Sequence, residues 1–330
     1  MTSASIFISR HPVKTSTSTS LFAIGALARK AKEAEVKVYL STLDDEVVKG
    51  HMSTLSNPSS LPPPELLKTS ITKRKGTLTV IAEYKRKLNA EGFVNDIFEP
   101  ELMSPVFREF GASATAVMTD KRMGGCDYED LMTVAKEQEE SRGDVPGPLP
   151  VICSDLIVDK VQIARAKACG AGAINLQLGL LGEEKCKDFM SAAAALSMES
   201  VIEVNNLDGI KLAVSSLSAP IILINSADDI ETKCSWRSEH IPEDVAAVCL
   251  INANQNKALE EVEEAWKLRD GGYQSVWVSD CLFKSGGDPT EHAGAIINAM
   301  KSKSSVKFAS PRSKSGRGEG AREYLGDILM

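Results

Sequence analysis

The chain has 330 residues, of which 43% are hydrophobic and 25% are charged, a composition typical of a globular protein with one sizeable core. Its formal net charge of -7 and isoelectric point near 5.4 argue against general nucleic-acid binding. The seven cysteines include no C-x-x-C pair and the four histidines lack metal-ligand spacing, which predicts reduced thiols and no zinc site. No apolar run approaches the roughly 18 residues that a membrane span needs, so we expect no membrane association. We also expect no metal and no cofactor.

The first 32 residues contain basic residues but no acidic ones, and they are rich in Ser and Thr up to Ser20. This composition is typical of an organelle transit peptide, and Phe22 resembles the aromatic residue found near plastid cleavage points. A disordered tail is the alternative. Residues 1–36 are therefore interpreted as a transit peptide or disordered segment, which predicts a plastid (chloroplast) protein, with the cytoplasm as the other possibility.

A helix and a linker are predicted next. Residues 26–40 combine helix-forming residues with apolar residues at three- and four-residue steps. Four prolines between residues 58 and 64 then break regular structure. Residues 37–75 are accordingly interpreted as an N-terminal extension with a proline-rich linker.

Residues 76–300 alternate eight short, β-rich apolar runs with longer amphipathic or alanine-rich runs. Each parallel strand needs a crossover helix, so this alternation predicts an α/β fold of the (β/α)8 TIM-barrel type. A doubly wound open sheet is the rival, but its glycine-rich first turn is missing. The predicted strands are Leu78–Lys85, Ala114–Thr119, Pro150–Cys153, Ala173–Leu178, Ser200–Val204, Ile221–Ile224, Ala246–Ile251 and Ser275–Val278.

Three helices of this region are clear from the sequence, and two of them are followed by a glycine. Gly170 and Gly271 stand where a left-handed residue commonly ends a helix. Residues 301–330, rich in Ser, Gly and basic residues, are predicted to be a disordered tail, with a docking segment carrying a Ser-Pro phosphosite at Ser310 as the alternative. The helices are predicted at Ile157–Cys169, Glu183–Leu196 and Leu259–Arg269.

The first strand carries two charged residues at its end. Glu83 and Lys85 are two residues apart, so both side chains leave the same face of the strand near its carboxyl end, where TIM barrels place their active sites. The pair therefore predicts catalytic chemistry. A solvated strand end with an ordinary ion pair is the alternative.

The stretch Ile81–Lys87, read as IAEYKRK, resembles the first barrel strand of the indole-3-glycerol-phosphate synthase family, although the S-P-S expected next is replaced by Leu88-Asn89-Ala90. Further segments resemble the family in the same order. The resemblance implies a (β/α)8 barrel and the family's activity in tryptophan biosynthesis, in which a carboxyphenylamino-deoxyribulose phosphate is cyclised, decarboxylated and dehydrated. The further segments are Ala116–Asp120, Pro150–Asp159, Met198–Asn205 and Ile222–Ser226.

The family's pattern implies catalytic or substrate-contacting roles for four retained residues: Glu83, Lys85, Glu203 and Asn225. The lysine expected at the third strand, the family's principal general acid, is Ser154 here. A neutral hydroxyl neither carries positive charge nor gives up a proton readily at neutral pH. The other interpretation of the retained charges is an internal ion-pair cluster in which Glu83 and Glu203 flank Lys85 and support the barrel mouth.

The positions that bind substrate in the family are altered too. The arginine expected after the sixth strand is Ala227, the seventh-strand E-S-G is Leu250-Ile251-Asn252, and the glycine expected at the eighth strand is Ser279. A side chain at that last position stands where backbone would approach a phosphate. The remaining candidates for substrate binding are Ser226, Asn252, Ser279 and Asp280.

Three hypotheses follow. The first is a barrel that no longer performs the parent reaction and serves as a binding or regulatory protein, with a small anionic or phosphorylated aromatic ligand and an unknown protein partner. The second is an active synthase with altered contacts. The third is a lyase or isomerase that uses Glu83, Lys85 and Glu203 on another small anionic substrate. The apolar packing positions of the strands are retained, whereas several polar residues of the family's active site are replaced. The family's fold can therefore persist without the family's activity.

Overall fold

Eight parallel strands close into a barrel in which each strand pairs with the next one along the chain and the last pairs with the first. The computed structural model describes residues 17–55, 63–72, 77–88, 92–93, 99–251, 258–283 and 288–302. The expected (β/α)8 barrel is confirmed, and no predicted strand end is wrong by more than one residue. The strands are β1 (Thr79–Tyr84), β2 (Ala114–Met118), β3 (Val151–Ser154), β4 (Ala173–Gln177), β5 (Glu199–Val204), β6 (Ile221–Ile224), β7 (Ala246–Ile251) and β8 (Ser275–Val278).

Helices follow every strand and three more precede the barrel. A short 3-10 turn at Asp280–Leu282 follows β8, and Lys87–Leu88 pairs antiparallel with Gly92–Phe93 after β1. The helices are α1 (Thr17–Ser41), α2 (Glu46–Thr54), α3 (Leu66–Ile71), α4 (Pro100–Glu109), α5 (Tyr128–Glu140), α6 (Lys160–Ala168), α7 (Leu178–Leu181), α8 (Glu183–Ala195), α9 (Leu207–Ser215), α10 (Ile230–His240), α11 (Ala258–Asp270) and α12 (Pro289–Lys301). None of these described helices is long and apolar enough to cross a bilayer.

Two details of the predicted helices differ from the structure. Helix α6 begins at Lys160 instead of residue 157, because the Asp159 side chain accepts the Val161 N–H and caps the helix there. Gly170 has a φ of 91° and ends its helix as expected. After α11, however, the left-handed residue is Gly272. Glycine is needed at position 271 for a different reason, because a Cβ there would collide with the Cys234 side chain.

The inward positions of the strands fill the barrel with apolar side chains, among them Ile81, Ile152, Val201 and Trp277. Helix α3 closes the amino-terminal end, where the N–H groups of its second and third residues, Leu67 and Lys68, donate to the Glu199 carboxylate at 2.5 and 3.0 Å. With that end sealed, the carboxyl end is the open one, as is usual for this architecture.

The first described helix runs across the domain boundary that the sequence predicts after residue 36. Helix α1 is continuous from Thr17 to Ser41, so the boundary predicted after residue 36 falls inside a helix. Arg29 donates to the Leu180 carbonyl at 2.9 Å, which attaches α1 to α7. Residues 1–16, most of the proline-rich linker and the tail from residue 303, with Ser310, lie outside the described residues, and transit targeting stays a prediction.

Candidate functional site

A cavity of about 510 Å³ opens at the carboxyl end of the barrel. Side chains alternate along each strand, so the residues that continue the apolar inward positions toward the strand ends meet here. The structure brings together seven of the residues singled out from the sequence. They are Glu83, Lys85, Ser154, Glu203, Asn225, Ser279 and Asp280.

Glu203, at the end of β5, is held by two amides. Asn175 Nδ2 donates to Glu203 Oε2 at 2.6 Å, and Asn225 Nδ2 donates to Oε1 at 2.7 Å. Burial raises the pKa of Glu203 above its ordinary value; the two amide donors oppose this effect and the negative charge of Glu83 adds to it. The amides fix the carboxylate in position, and its raised pKa suits a group that exchanges protons.

Glu83, at the end of β1, is buried and accepts a hydrogen bond from Ser279. The distance from Ser279 Oγ to Glu83 Oε2 is 2.6 Å, and Glu83 is only 3% exposed. Ser279 was considered from the sequence as an obstacle to phosphate binding. In the structure the Ser279 hydroxyl donates to the Glu83 carboxylate.

Lys85 forms an ion pair with Asp280, and both side chains are almost fully buried. The interpretation that Glu83 and Glu203 flank Lys85 as an ion-pair cluster is therefore wrong, since neither of them pairs with it among the described residues. Asp280, two residues after the end of β8, is the counterion instead. The site lysine is thus neutralised by a residue nearly 200 positions away in the chain.

The altered positions present neutral groups to the cavity. Ser154 is buried at the end of β3, and its carbonyl accepts the Thr119 N–H at 2.9 Å. Leu250 packs against the apolar barrel interior, so an alkyl side chain stands on the inner face of β7 where the resemblance places a carboxylate. Ala227 is exposed and does not line the cavity.

One candidate for substrate binding does not line the described part of the cavity, and another lies outside the described residues. Ser226 does not line it; its hydroxyl hydrogen-bonds to Asp228 and also accepts the Asp228 N–H at 3.2 Å, a local turn after β6. Asn252 lies outside the described residues.

Sequence reasoning missed four polar residues that line the cavity. Asn175 and Gln177 are alternate residues of β4, and this period-two pattern within an apolar strand was a usable signal. Lys87 and Arg122 lie at the rim, where Lys87 Nζ donates to the Arg122 carbonyl at 2.5 Å. Arg122 in turn donates to Glu35 of α1 at 2.9 Å.

A second group of buried charges lies beside the cavity, under helix α1. Lys32 is 1% exposed, and its Nζ lies 2.6 Å from Asp120 Oδ2 and 3.0 Å from Asp155 Oδ1. Tyr128 and Gln162 each donate to Asp155 Oδ2 at 3.0 Å. These five residues are called the α1 cluster below.

The charges of the α1 cluster stabilise one another. Burial alone would lower the pKa of Lys32, but Asp155 and Asp120 outweigh burial and raise it. Burial alone would raise the pKa of Asp120, but Lys32 and the N–H groups of Met123 and Arg122 outweigh burial and lower it. At Asp155 burial prevails and raises the pKa, although Lys32 opposes it. The cluster anchors α1 to the loops after β2 and β3.

The chain is similar in sequence to one family of known proteins. The sequence profile described as indole-3-glycerol phosphate synthase matches residues 30–268. An indole-3-glycerol phosphate synthase of Leptospira interrogans (strain Fiocruz L1-130) is 36% identical over 49% of this chain, which spans 60% of that relative. The enzyme of the same name from Bacillus cereus (strain AH820) is 32% identical over 66% of this chain and 81% of its own length.

Among solved structures, tryptophan synthase subunit alpha from Legionella pneumophila str. Paris matches with a TM-score of 0.51 and 11% identity. The match covers 74% of this chain and 98% of that one. At this identity the likeness shows the barrel fold alone. The profile match and the relatives go further, and they show that the chain belongs to the indole-3-glycerol phosphate synthase family.

Proposed function

We propose that this chain is a non-catalytic member of its family, a barrel that binds a small ligand in the cavity and acts as a binding or regulatory protein. One observation carries the proposal. Every positively charged residue of the described part of the cavity wall is already engaged by another group of the protein. These residues are Lys85, Lys87 and Arg122.

The ring closure that the resemblance implies needs a cationic acid that polarises and protonates a ketone. Ser154 replaces the expected lysine and supplies only a neutral hydroxyl. Lys85 is paired with Asp280, and Lys87 donates to a backbone carbonyl. Loss of a general acid typically lowers a rate by about 10²–10⁴.

The expected phosphate side of the cavity is also poor in donors. Leu250 contributes an apolar surface, and the Ser279 hydroxyl donates to Glu83. A phosphate dianion needs several N–H or O–H donors aimed at it. The cavity therefore lacks groups that the ketone and the phosphate of the parent substrate need, and both observations support the proposal.

The apolar core of the barrel is well packed, although polar residues of the cavity are replaced. Residues of the inner layer such as Ile81, Val201 and Trp277 are fully or almost fully buried. A family member that lost activity while keeping a packed core is consistent with selection for a fold that still binds something.

A second candidate is a lyase or isomerase acting on another small substrate. The observation that favours it is Glu203, whose raised pKa and two amide hydrogen bonds suit a positioned general base. Such an enzyme would need no cationic acid at Ser154.

Complementation tests the proposal. The full chain is expressed in a tryptophan auxotroph that lacks the synthase, beside an active family member as positive control. We expect no growth with the wild-type chain. Growth with it would overturn the proposal and support an active synthase.

A repair series shows whether the altered residues cause the loss. Ser154→Lys restores the expected acid, and Leu250→Glu restores the expected carboxylate. Growth of the double variant, or of a variant with Asn252→Gly added, would show that the cavity residues named above account for the missing activity. Expression level and thermal melting of each variant serve as controls for folding.

Plastid targeting is proposed separately from activity. Arg29 and Lys32 contact the barrel through the Leu180 carbonyl and two buried carboxylates. A cleavage upstream of Arg29 keeps these contacts, whereas one at residue 36 removes both. The N-terminus of the mature protein, read by mass spectrometry from a plastid fraction, tests both the location and the cleavage point.

A further inference from the structure

Two carboxylates face each other across the cavity. Glu83 belongs to β1 and Glu203 to β5, which are four strands apart in the closed order and so stand on opposite sides of the barrel. Both line the same cavity, and the charge of Glu83 acts on Glu203.

Neither carboxylate forms an ion pair with a lysine or arginine of the described chain. Glu83 is bonded by the neutral Ser279 hydroxyl, and Glu203 by the neutral amides of Asn175 and Asn225. Lys85, the nearest candidate in the sequence, is paired with Asp280 instead. The floor of the cavity therefore carries negative charge that the described protein does not neutralise.

A third acceptor lies between these strands and is unsatisfied. Asn175 is 3% exposed, it lines the cavity, and its Oδ1 has no hydrogen-bond partner in the described structure. The orientation of this amide is fixed, because its Nδ2 must face the acceptor Glu203. A buried carbonyl oxygen without a donor is unusual in a folded protein and points to a group that arrives from outside.

The rest of the floor suits a compact cation. Trp277 and Leu223 line the cavity below the polar groups. Aromatic side chains attract cations through their π-systems. An anionic group at the same depth would meet two carboxylates and a carbonyl oxygen, all of which repel it.

We propose that the cavity takes a small primary amine, whose ammonium group lies between Glu83 and Glu203 and also donates to Asn175 Oδ1. An ammonium group has three N–H donors, which matches these three acceptors. This inference rests on the proposed binding function and names its ligand class. It differs from the anionic aromatic ligand that the family resemblance leads us to expect.

A matched pair of probes tests the charge of the ligand. 2-Phenylethylamine and 3-phenylpropionate have the same ring and the same two-carbon arm but opposite charges. Isothermal titration calorimetry of the full chain at pH 7.5 is expected to show binding of the amine and at least tenfold weaker binding of the carboxylate. Equal affinities, stronger binding of the carboxylate or no binding of either probe would overturn the proposal.

Isosteric variants test the site. Glu203→Gln and Glu83→Gln are each expected to weaken amine binding at least tenfold. Glu184→Gln, a change at an exposed carboxylate of α8, serves as the matched control and is expected to leave the affinity unchanged. Unaltered affinity in both cavity variants would contradict the assignment.

Two further measurements keep the interpretation clear. Thermal melting of each variant in the absence of the probe separates loss of the site from loss of the fold. Complementation, described above, is scored independently of amine binding. A chain that neither binds the amine nor rescues growth refutes the ligand class alone, whereas rescue refutes the proposed binding function.

Discussion

The carboxyl end of this barrel holds two groups of buried or half-buried polar side chains that differ in their bonding. In the α1 cluster, one lysine is shared by two carboxylates, and Asp155 also receives two neutral hydrogen bonds. The second group comprises Glu83, Asn175, Glu203, Asn225 and Ser279 and is called the cavity cluster. It has two carboxylates bonded by neutral groups and one unpartnered acceptor beside an open volume.

The contrast between the two clusters shows that buried charge by itself does not identify a functional site. A cluster in which each carboxylate pairs with a cation of the protein holds elements together. A cluster at the edge of a cavity whose acceptors outnumber its donors is suited to bind a ligand that supplies the missing donors. The predictions below test this distinction, beginning with the largest effect.

The largest loss of stability is expected when the cation of the α1 cluster is removed. Lys32→Met keeps the length of the side chain but leaves Asp155 buried without a counterion in the described structure, and Asp120 with only the more distant Arg122 guanidinium at 3.7 Å. Breaking a buried pair in this way costs about 3–5 kcal/mol. Urea unfolding followed by circular dichroism measures the change.

The matched control lies on the same helix. Lys37 is exposed, so Lys37→Met is expected to change the free energy of unfolding by no more than about 0.5 kcal/mol. Similar losses in the two variants would mean that the α1 cluster does not anchor the helix.

A smaller loss is expected in the cavity cluster. Ser279→Ala removes the only hydroxyl that donates to Glu83 in the described structure, and loss of a donor to a buried charged group costs about 1–3 kcal/mol. Ser238→Ala, at an exposed position of α10, is the control with little expected effect. If Ser279→Ala were equally silent, the hydrogen bond to Glu83 would have no energetic role.

The smallest effect is a pH dependence with a defined sign. The pKa of Glu203 is raised in the fold, so the unfolded chain ionises first as the pH rises from the ordinary value of 4.5. Stability contributed by Glu203 therefore falls through this window, and the Glu203→Gln variant lacks that fall. The difference in unfolding free energy between variant and wild type is expected to shift in favour of the variant as the pH increases.

The α1 cluster gives the opposite sign. The pKa of Asp120 is lowered, so its contribution is present above the ordinary value of 3.8 and is lost as the pH falls through the lowered value. Asp120→Asn is thus expected to cost most at neutral pH and least in acid. Parallel pH profiles for the two variants would contradict the contrast between the clusters.

The barrel could be predicted from the sequence because each strand is a short apolar run flanked by longer helical segments. Glu83 and Glu203 could also be found, since each ends such a run and carries the family resemblance. The partner of Lys85 could not, because Asp280 comes next to it only when β8 closes the barrel against β1.

Two other features were missed for different reasons. Lys32 lies in a stretch whose basic composition suggests targeting, and only the packing of α1 shows that it neutralises buried carboxylates. Asn175 was overlooked within an apolar strand, although its polar neighbour two residues on, Gln177, shared its face. Attention to polar residues at inward positions of every strand would have found Asn175 and Gln177, but not Lys32.

The most direct test of the central claim is an assay of the purified full-length chain for formation of indole-3-glycerol phosphate from the carboxyphenylamino-deoxyribulose phosphate. An active family member is measured in parallel. We expect a rate about 10²- to 10⁴-fold lower than that of the control, because the general acid is absent. Turnover within the usual enzyme range of about 1–10³ per second would contradict it.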